Sequence, residues 1–253
     1  MRIVKAILNI SGYLFVSLTD TLALRESIRS QAGARQLKGT VLLAEEGINL
    51  FLAGPDEAVR GFLSWLQTDR RFKPLQAKES HTDSVPFKKL RVKVKPEIIR
   101  MNHPTIKPEA ERAPAVDAKT VARWLRSGFD DAGQAVVMLD TRNAFEVAGG
   151  SFDGAVHWNL RKFSDFPKAA MAHAAQLHGK TVVTYCTGGI RCEKAALFMA
   201  QAGMQNVLQL DGGILKYFEA AGAEHFDGTC FVFDEREALK ADLSAVGLHQ
   251  PAL

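Results

Sequence analysis

The sequence predicts a mixed α/β protein of two domains: a ferredoxin-like α+β domain over residues 1–100 and an α/β domain with a parallel sheet over residues 117–228. Three observations predict it. In the first hundred residues, strand-periodic and helix-periodic stretches follow in the order β-α-β-β-α-β, the split βαβ arrangement. Residues 101–116, MNHPTIKPEAERAPAV, then carry three prolines and no periodicity, which reads as a linker. Beyond it, short apolar runs alternate with helical ones, as in a parallel sheet covered by helices. Residues 229–253 follow as a C-terminal extension.

Residues 2–18 read as the first strand, with a kink at Gly12. The start, MRIVKAILNISGYLFVSL, has the basic-then-apolar order of a secretion signal, but Lys5, Asn9 and Ser11 interrupt the apolar run. LALRESIRSQAGA reads as a helix with Leu22, Leu24 and Ile28 on one side and Gly33 near its stop. GTVLLAEEGINLFLAG gives two short apolar strands around Glu45-Glu46-Gly47, a hairpin. In PDEAVRGFLSWLQTDRRF, Pro55 stands at a first helical turn and Asp56 and Glu57 suit the positive end of a helix dipole. Val59, Phe62, Leu63 and Leu66 make its buried stripe. FKKLRVKVKPEIIRM closes the domain as a strand in which Leu90, Val92 and Val94 alternate with Lys89, Arg91, Lys93 and Lys95. Like charges on one sheet face repel unless an anion or solvent neutralises them. The face suits nucleic-acid phosphate, or equally an edge strand charged against aggregation.

In the second domain, DAKTVARWLRSG is a helix with Asp117 as N-cap. AVVMLD is a buried strand ending in Asp140, GAVHWNL a short strand-like stretch and MAHAAQLHG a helix. TVVTY is a second buried strand, CEKAALFMAQAG a helix closed by Gly203, and NVLQLDGG a third strand ending near Asp211. Ligands of such sheets bind beyond the carboxyl ends of the strands, and Cys186 falls at one of those ends.

An apolar fraction of 47% and a charged fraction of 24% are ordinary for a globular protein. No apolar run is long enough to span a bilayer. Three cysteines, an odd number without a CxxC pair, argue against a disulfide framework and for a reducing cytoplasm. None of the seven histidines stands at metal-ligand spacing from another histidine or a cysteine, which disfavours zinc. Residues 1–110 carry a charge balance of +7 and residues 111–253 one of −3, which on charge alone reads first as solvated surface lysines and second as a basic half meeting a polyanion beside a half doing chemistry.

The chemistry centres on CTGGIRCEK. A strand delivers Cys186 to a turn of Thr187, Gly188, Gly189 and Ile190, and Arg191 stands where a helix begins. Glycines let successive amides point at one spot, an anion nest. The helix N-terminus and the guanidinium add positive charge, and each effect favours thiolate over thiol. Four residues separate Cys186 from Arg191, one fewer than in the phosphate cradle of tyrosine phosphatases, so the ring suits a smaller group such as one sulfur atom. Cys192 reads as a packing cysteine or a resolving partner, and Cys230 as structural.

CTGGIR resembles the active loop of the rhodanese family. LDTRNAFEVAGGSFDGAVHW and LQLDGGILKY extend the likeness over residues 115–225. The resemblance implies that Cys186 carries a persulfide, that Arg191 orients an anionic donor or steadies the loop, and that Asp140 and Arg142 brace the pocket. CTGGIRCEK together with GTVLLAEEGIN, FKKLRVKVK and GTCFVFDER, in this order, is similar to the tRNA wobble-uridine hydroxylase family. That resemblance implies oxygen-dependent formation of 5-hydroxyuridine at position 34 of tRNA, with molecular oxygen as co-substrate and no cofactor evident. It makes Lys88, Lys89, Arg91, Lys93 and Lys95 candidate tRNA-binding residues. Phe87, Trp65 and Trp158 read as core packing before base stacking. A plain sulfurtransferase acting on thiosulfate or another sulfane donor is the alternative, and a non-catalytic binding module the third reading.

Overall fold

The structure, a computed structural model, describes residues 7–246. Residues 2–6 of the expected first strand and residues 247–253 of the expected extension lie outside the described residues. The chain divides into two compact units, one of Met1–Ile99 with Phe233–Arg236 and one of Arg100–Val232 with Glu237–Leu253.

The first unit runs β1 (Ile7–Phe15), α1 (Thr21–Ala34), β2 (Lys38–Ala44), β3 (Gly47–Pro55), α2 (Asp56–Leu66), β4 (Ala77–Thr82) and β5 (Leu90–Val94). Its sheet has the order β4-β1-β3-β2-β5. The hairpin of β2 and β3 turns at Glu45-Glu46, as the sequence predicts. In α2 the buried residues are Val59, Phe62 and Leu66, with Leu63 partly buried behind them. In α1, Ile28 is fully buried, whereas Leu22, expected on the same face, is exposed; it sits in the first turn, beyond the edge of the sheet-facing stripe.

The expected closing strand needs correcting. The strand beside β1 is AKESHT, which has no apolar alternation and is held through its backbone register, Ile7 opposite Thr82 to Gly12 opposite Ala77. The Asn9 amide adds bonds to the Ser80 carbonyl and the Thr82 hydroxyl. LRVKV is a fifth strand, added parallel to β2 at the other edge. Its alternation holds: Val92 is buried while Arg91, Lys93 and the flanking Lys89 and Lys95 are exposed. Among the described residues no carboxylate pairs with any of those four cations. Lys88 lies 3.8 Å from Glu235, an exposed pair worth little.

GTCFVFDER also finds a role here. Arg236 is buried in the first unit, held by Asp234 through both carboxylate oxygens and donating to the Ser80 hydroxyl at 2.8 Å.

The second unit runs β6 (Ala115–Val116), α3 (Ala118–Ser127), β7 (Val136–Asp140), α4 (Ala144–Val147), β8 (Gly150–Phe152), β9 (Val156–His157), α5 (Phe166–His173), β10 (Thr181–Tyr185), α6 (Ile190–Gln201), β11 (Val207–Leu210) and α7 (Gly213–Ala221). Short strands β12 (Phe226–Gly228), β13 (Cys230–Phe231) and β14 (Ala238–Leu239) follow. The main sheet is wholly parallel, in the order β6-β11-β10-β7-β9. All five residues of β10 are buried, as expected of a central parallel strand. Asp117 caps α3, accepting from the Lys119 and Thr120 amides, and Gly128 ends it in the left-handed region.

Residues 101–116 are more than a spacer. Met101, Ile106, Ala113 and Val116 are buried, and Ala115–Val116 is the edge strand of the sheet. The helix read at MAHAAQLHG begins earlier, at Phe166, with Pro167 in its first turn, and gives way to a 3-10 turn over Ala174–Leu177. Among the described residues no helix is long and apolar enough to cross a membrane.

Candidate active site

Strand register sets the site. Tyr185 stands opposite Asp140, and Asp140 opposite His157, so Cys186 is the next residue out at the carboxyl rim of the sheet. The sulfur is completely buried. The Gly189 amide donates to it at 3.2 Å. Gly189 is also the N-cap of α6, at φ 103°, a left-handed conformation that glycine adopts without strain. Burial alone would push the Cys186 thiol up. The Cys192 thiol beside it, the Arg191 charge and the amides of Cys192 and Arg191 outweigh that and hold it well below the ordinary thiol value.

Cys192 lies in the first turn of α6. Its S–H donates to the Gly189 carbonyl at 2.8 Å, and its sulfur lies 3.9 Å from that of Cys186. Burial and the neighbouring Cys186 push the Cys192 thiol up, so it stays a neutral donor beside a thiolate. Cys230, also buried, is pushed up to about 12 by its burial.

Arg191 does not face the sulfur as a free cation. Its guanidinium forks onto Glu146, with Nη1 to Oε2 at 2.5 Å and Nη2 to Oε1 at 2.8 Å, and both side chains are buried. Glu146 in turn accepts from the Asn143 amide at 3.1 Å, completing a capping box on α4. Thr187 donates to the Phe231 carbonyl at 3.3 Å and lies 3.5 Å from Glu146. Arg191 thus ties the cysteine loop to α4.

Asp140 and Arg142 form a second buried pair one layer below. Arg142 Nη2 reaches Asp140 at 2.6 Å and the Gly150 carbonyl at 2.6 Å, joining β7 to β8. Asp211, at the end of β11, pairs outward with Lys216 and takes no part in this cluster.

The loop carbonyls are taken up by α7. The Ile214 amide donates to the Cys186 carbonyl at 2.9 Å and the Leu215 amide to that of Thr187 at 3.1 Å. Two otherwise orphaned helix amides are thereby satisfied, and the loop amides are left to face the sulfur. Gly213 makes this approach feasible: at φ 66°, a Cβ there would lie 2.4 Å from the Cys186 carbonyl oxygen and 2.7 Å from the Gly189 nitrogen. Gly213→Ala is therefore expected to displace the loop, cost about 1–3 kcal/mol and return the Cys186 thiol toward its ordinary titration. Thiol alkylation followed across pH, beside a thermal melt, checks both.

The structure thus brings together Cys186, Thr187, Gly188, Gly189, Ile190 and Arg191, with Asp140 and Arg142 beneath. Lys88, Lys89, Arg91, Lys93 and Lys95 belong to the first unit. Sequence reasoning gave no role to Glu146 or Gly213. The Asn143-x-x-Glu146 spacing was a capping-box signal for the first, and a buried arginine needs a carboxylate. Trp65 packs on Phe62 at 5.6 Å, and Trp158 stacks on His173 at 5.6 Å, so both are taken up by the fold.

Residues 7–98 match the UPF0176 acylphosphatase like domain, and residues 121–220 match the rhodanese-like domain. A tRNA uridine(34) hydroxylase of Bordetella pertussis is 62% identical over 94% of this chain and 98% of its own length. Proteins of the same name are 58% identical in Variovorax paradoxus, over 95% of this chain and 92% of theirs, and 56% identical in Ralstonia nicotianae, over 96% and 86%.

Proposed function

The chain belongs to the family of the tRNA uridine(34) hydroxylases, and we propose that Cys186 is the group through which it acts on the wobble base. It is a tRNA-modifying enzyme that hydroxylates uridine 34, built from an acylphosphatase-like and a rhodanese-like domain. The observation that carries the assignment to Cys186 is its setting. It is a buried sulfur at the rim of a parallel sheet that accepts from the Gly189 amide, and the Cys192 thiol, the Arg191 charge and the first amides of α6 hold its pKa well below the ordinary thiol value. A thiolate so placed is the nucleophile of the site. The loop cradle also accommodates an anionic adduct on that sulfur.

The oxygen replaces hydrogen at C5 of uracil; molecular oxygen is its source, and the second oxygen atom leaves as water with two electrons and two protons drawn from a thiol-class reductant. Incubation of the purified protein with unmodified tRNA under isotopically labelled dioxygen, followed by nucleoside mass spectrometry, tests this. Label in 5-hydroxyuridine from the gas and none from water is expected; label from water overturns it. A base at position 34 lies in a single-stranded loop and is unstacked at little cost, which suits chemistry on the base. The enzyme acts in the cytoplasm, where its substrate is.

The β5 face of the first unit takes the tRNA backbone through Lys89, Arg91, Lys93 and Lys95, with Lys88 beside them. Their exposure without acidic partners supports this. Replacing the four by glutamate is expected to weaken tRNA binding and to flatten its salt dependence, lowering the log–log slope by about 3 if each cation neutralises one phosphate. Binding measured across a salt series checks it. An unchanged slope removes this face from tRNA recognition.

A further inference from the structure

The cysteine loop is bordered by an aromatic that neither the core nor the loop uses. Phe145 is 55% exposed, although it sits in α4 between Ala144 and Glu146, the residue that holds Arg191. Its ring packs perpendicular to that of Phe231, with centroids 5.1 Å apart. Phe231 is the residue whose carbonyl accepts from Thr187, next to Cys186. More than half of the Phe145 surface is thus left to solvent beside Phe231. The segment that carries the ring is held in place, because the Glu146–Arg191 fork ties α4 to the loop. The Ala144 amide donates to the Leu160 carbonyl at 2.8 Å, which brings the exposed Arg161 to the same border. Among the described residues no carboxylate pairs with Arg161.

An exposed aromatic ring, with an exposed arginine on the adjoining segment, offers what an unstacked nucleotide requires: a surface for the base and a cation for its phosphate. We propose that Phe145, backed by Phe231, is the shelf on which the extruded uracil of nucleotide 34 stacks, and that Arg161 takes an adjoining phosphate. This rests on the reading that uridine 34 reacts at the Cys186 loop. Phe145 is a binding residue here, and its aromatic ring is the feature that matters. A pyrimidine has a π-face whatever its substituents, so the shelf selects for an unstacked base, and selection for uracil falls to groups deeper in the loop.

The test uses the full-length protein and tRNA. With 4-thiouridine placed at position 34, irradiation is expected to cross-link the tRNA to the peptide bearing Phe145. In steady-state assays Phe145→Ala is expected to raise KM for tRNA about tenfold, and Phe145→Trp to restore it. The pH profile of Cys186 alkylation stays as in the wild type, because the loop bonds do not involve the Phe145 ring. Arg161→Ala is expected to raise KM by several fold and to lessen the salt dependence. A wild-type KM in Phe145→Ala, or a cross-link confined to another segment in an active enzyme, overturns the shelf. A Phe145→Leu variant as good as Phe145→Trp also overturns it, since bulk without a π-face would then suffice. If the wild-type protein itself fails to convert uridine 34, the underlying functional reading is what falls.

Discussion

Cys186→Ser is expected to lower the rate of uridine 34 hydroxylation by at least about a thousandfold, while the protein folds as before. The exchange replaces sulfur by a smaller oxygen in the same place, so packing changes little. The chemistry changes completely. A serine hydroxyl does not ionise near neutral pH, even with the Gly189 amide and the α6 N-terminus aimed at it, whereas the Cys186 thiol is held well below its ordinary value. Loss of a nucleophile typically costs 10³-fold or more. A companion measurement separates the thiolate from the other cysteines. Cys230, pushed up to about 12, and Cys192, also raised, are neutral across the ordinary thiol range and react there only slowly with a small haloacetamide. Modification of Cys186 continues to lower pH, because its thiolate persists above its own depressed pKa. All three are buried, so the pH profile is the readout and the absolute rate is not. Nucleoside mass spectrometry of tRNA from cells lacking the gene, complemented with wild type or Cys186→Ser, gives the activity. Retained hydroxylation in the serine variant removes Cys186 from the reaction. Loss of thiosulfate turnover alone, with hydroxylation intact, leaves it a sulfur carrier.

Much of this site is legible in the sequence because glycine, cysteine and β-branched residues have narrow local uses. TVVTY reads as a buried strand in this context and TGG as a turn; the helix starts one residue earlier than expected, at Ile190. The expectation that backbone amides converge on Cys186 holds at Gly189. What stayed hidden depends on partners far along the chain. β4 has no apolar face, because its neighbour β1 holds it through main-chain bonds, and period-2 patterning is blind to that. The strand LRVKV was legible as a strand but not as the fifth, since its alternation says which side is buried and nothing about which neighbour it pairs with. Residues 101–116 looked like a spacer because prolines break periodicity, yet isolated apolar residues there are buried one at a time. Arg191 was legible as a cation beside sulfur; that Glu146 takes both its nitrogens, from 45 residues away in sequence, was not.

That pair carries the second large effect. Glu146→Ala is expected to destabilise the second unit by about 3–5 kcal/mol, because it leaves the Arg191 guanidinium buried without its carboxylate. For a domain of this size that is a fall in melting temperature on the order of 10 °C. The capping box on α4 is lost with it, which adds to the cost. Glu146→Gln keeps the shape and part of the hydrogen bonding, so its melting temperature should lie between those of wild type and Glu146→Ala. The informative variant is the double one, Glu146→Leu with Arg191→Met. Replacing both members of a buried ion pair by apolar side chains of similar volume is often neutral or stabilising, so the double variant is expected to melt well above Glu146→Ala. It should nevertheless stay inactive. Without the guanidinium, one of the influences holding Cys186 as thiolate is gone, and its alkylation profile should move toward higher pH. Thermal melts and alkylation profiles of wild type, Glu146→Leu, Arg191→Met and the double variant form a cycle that separates the two roles of Arg191. If stability and thiol titration recover together in the double variant, Arg191 only fastens the loop to α4. If stability recovers and the titration does not, the same charge both fastens the loop and holds the sulfur anionic.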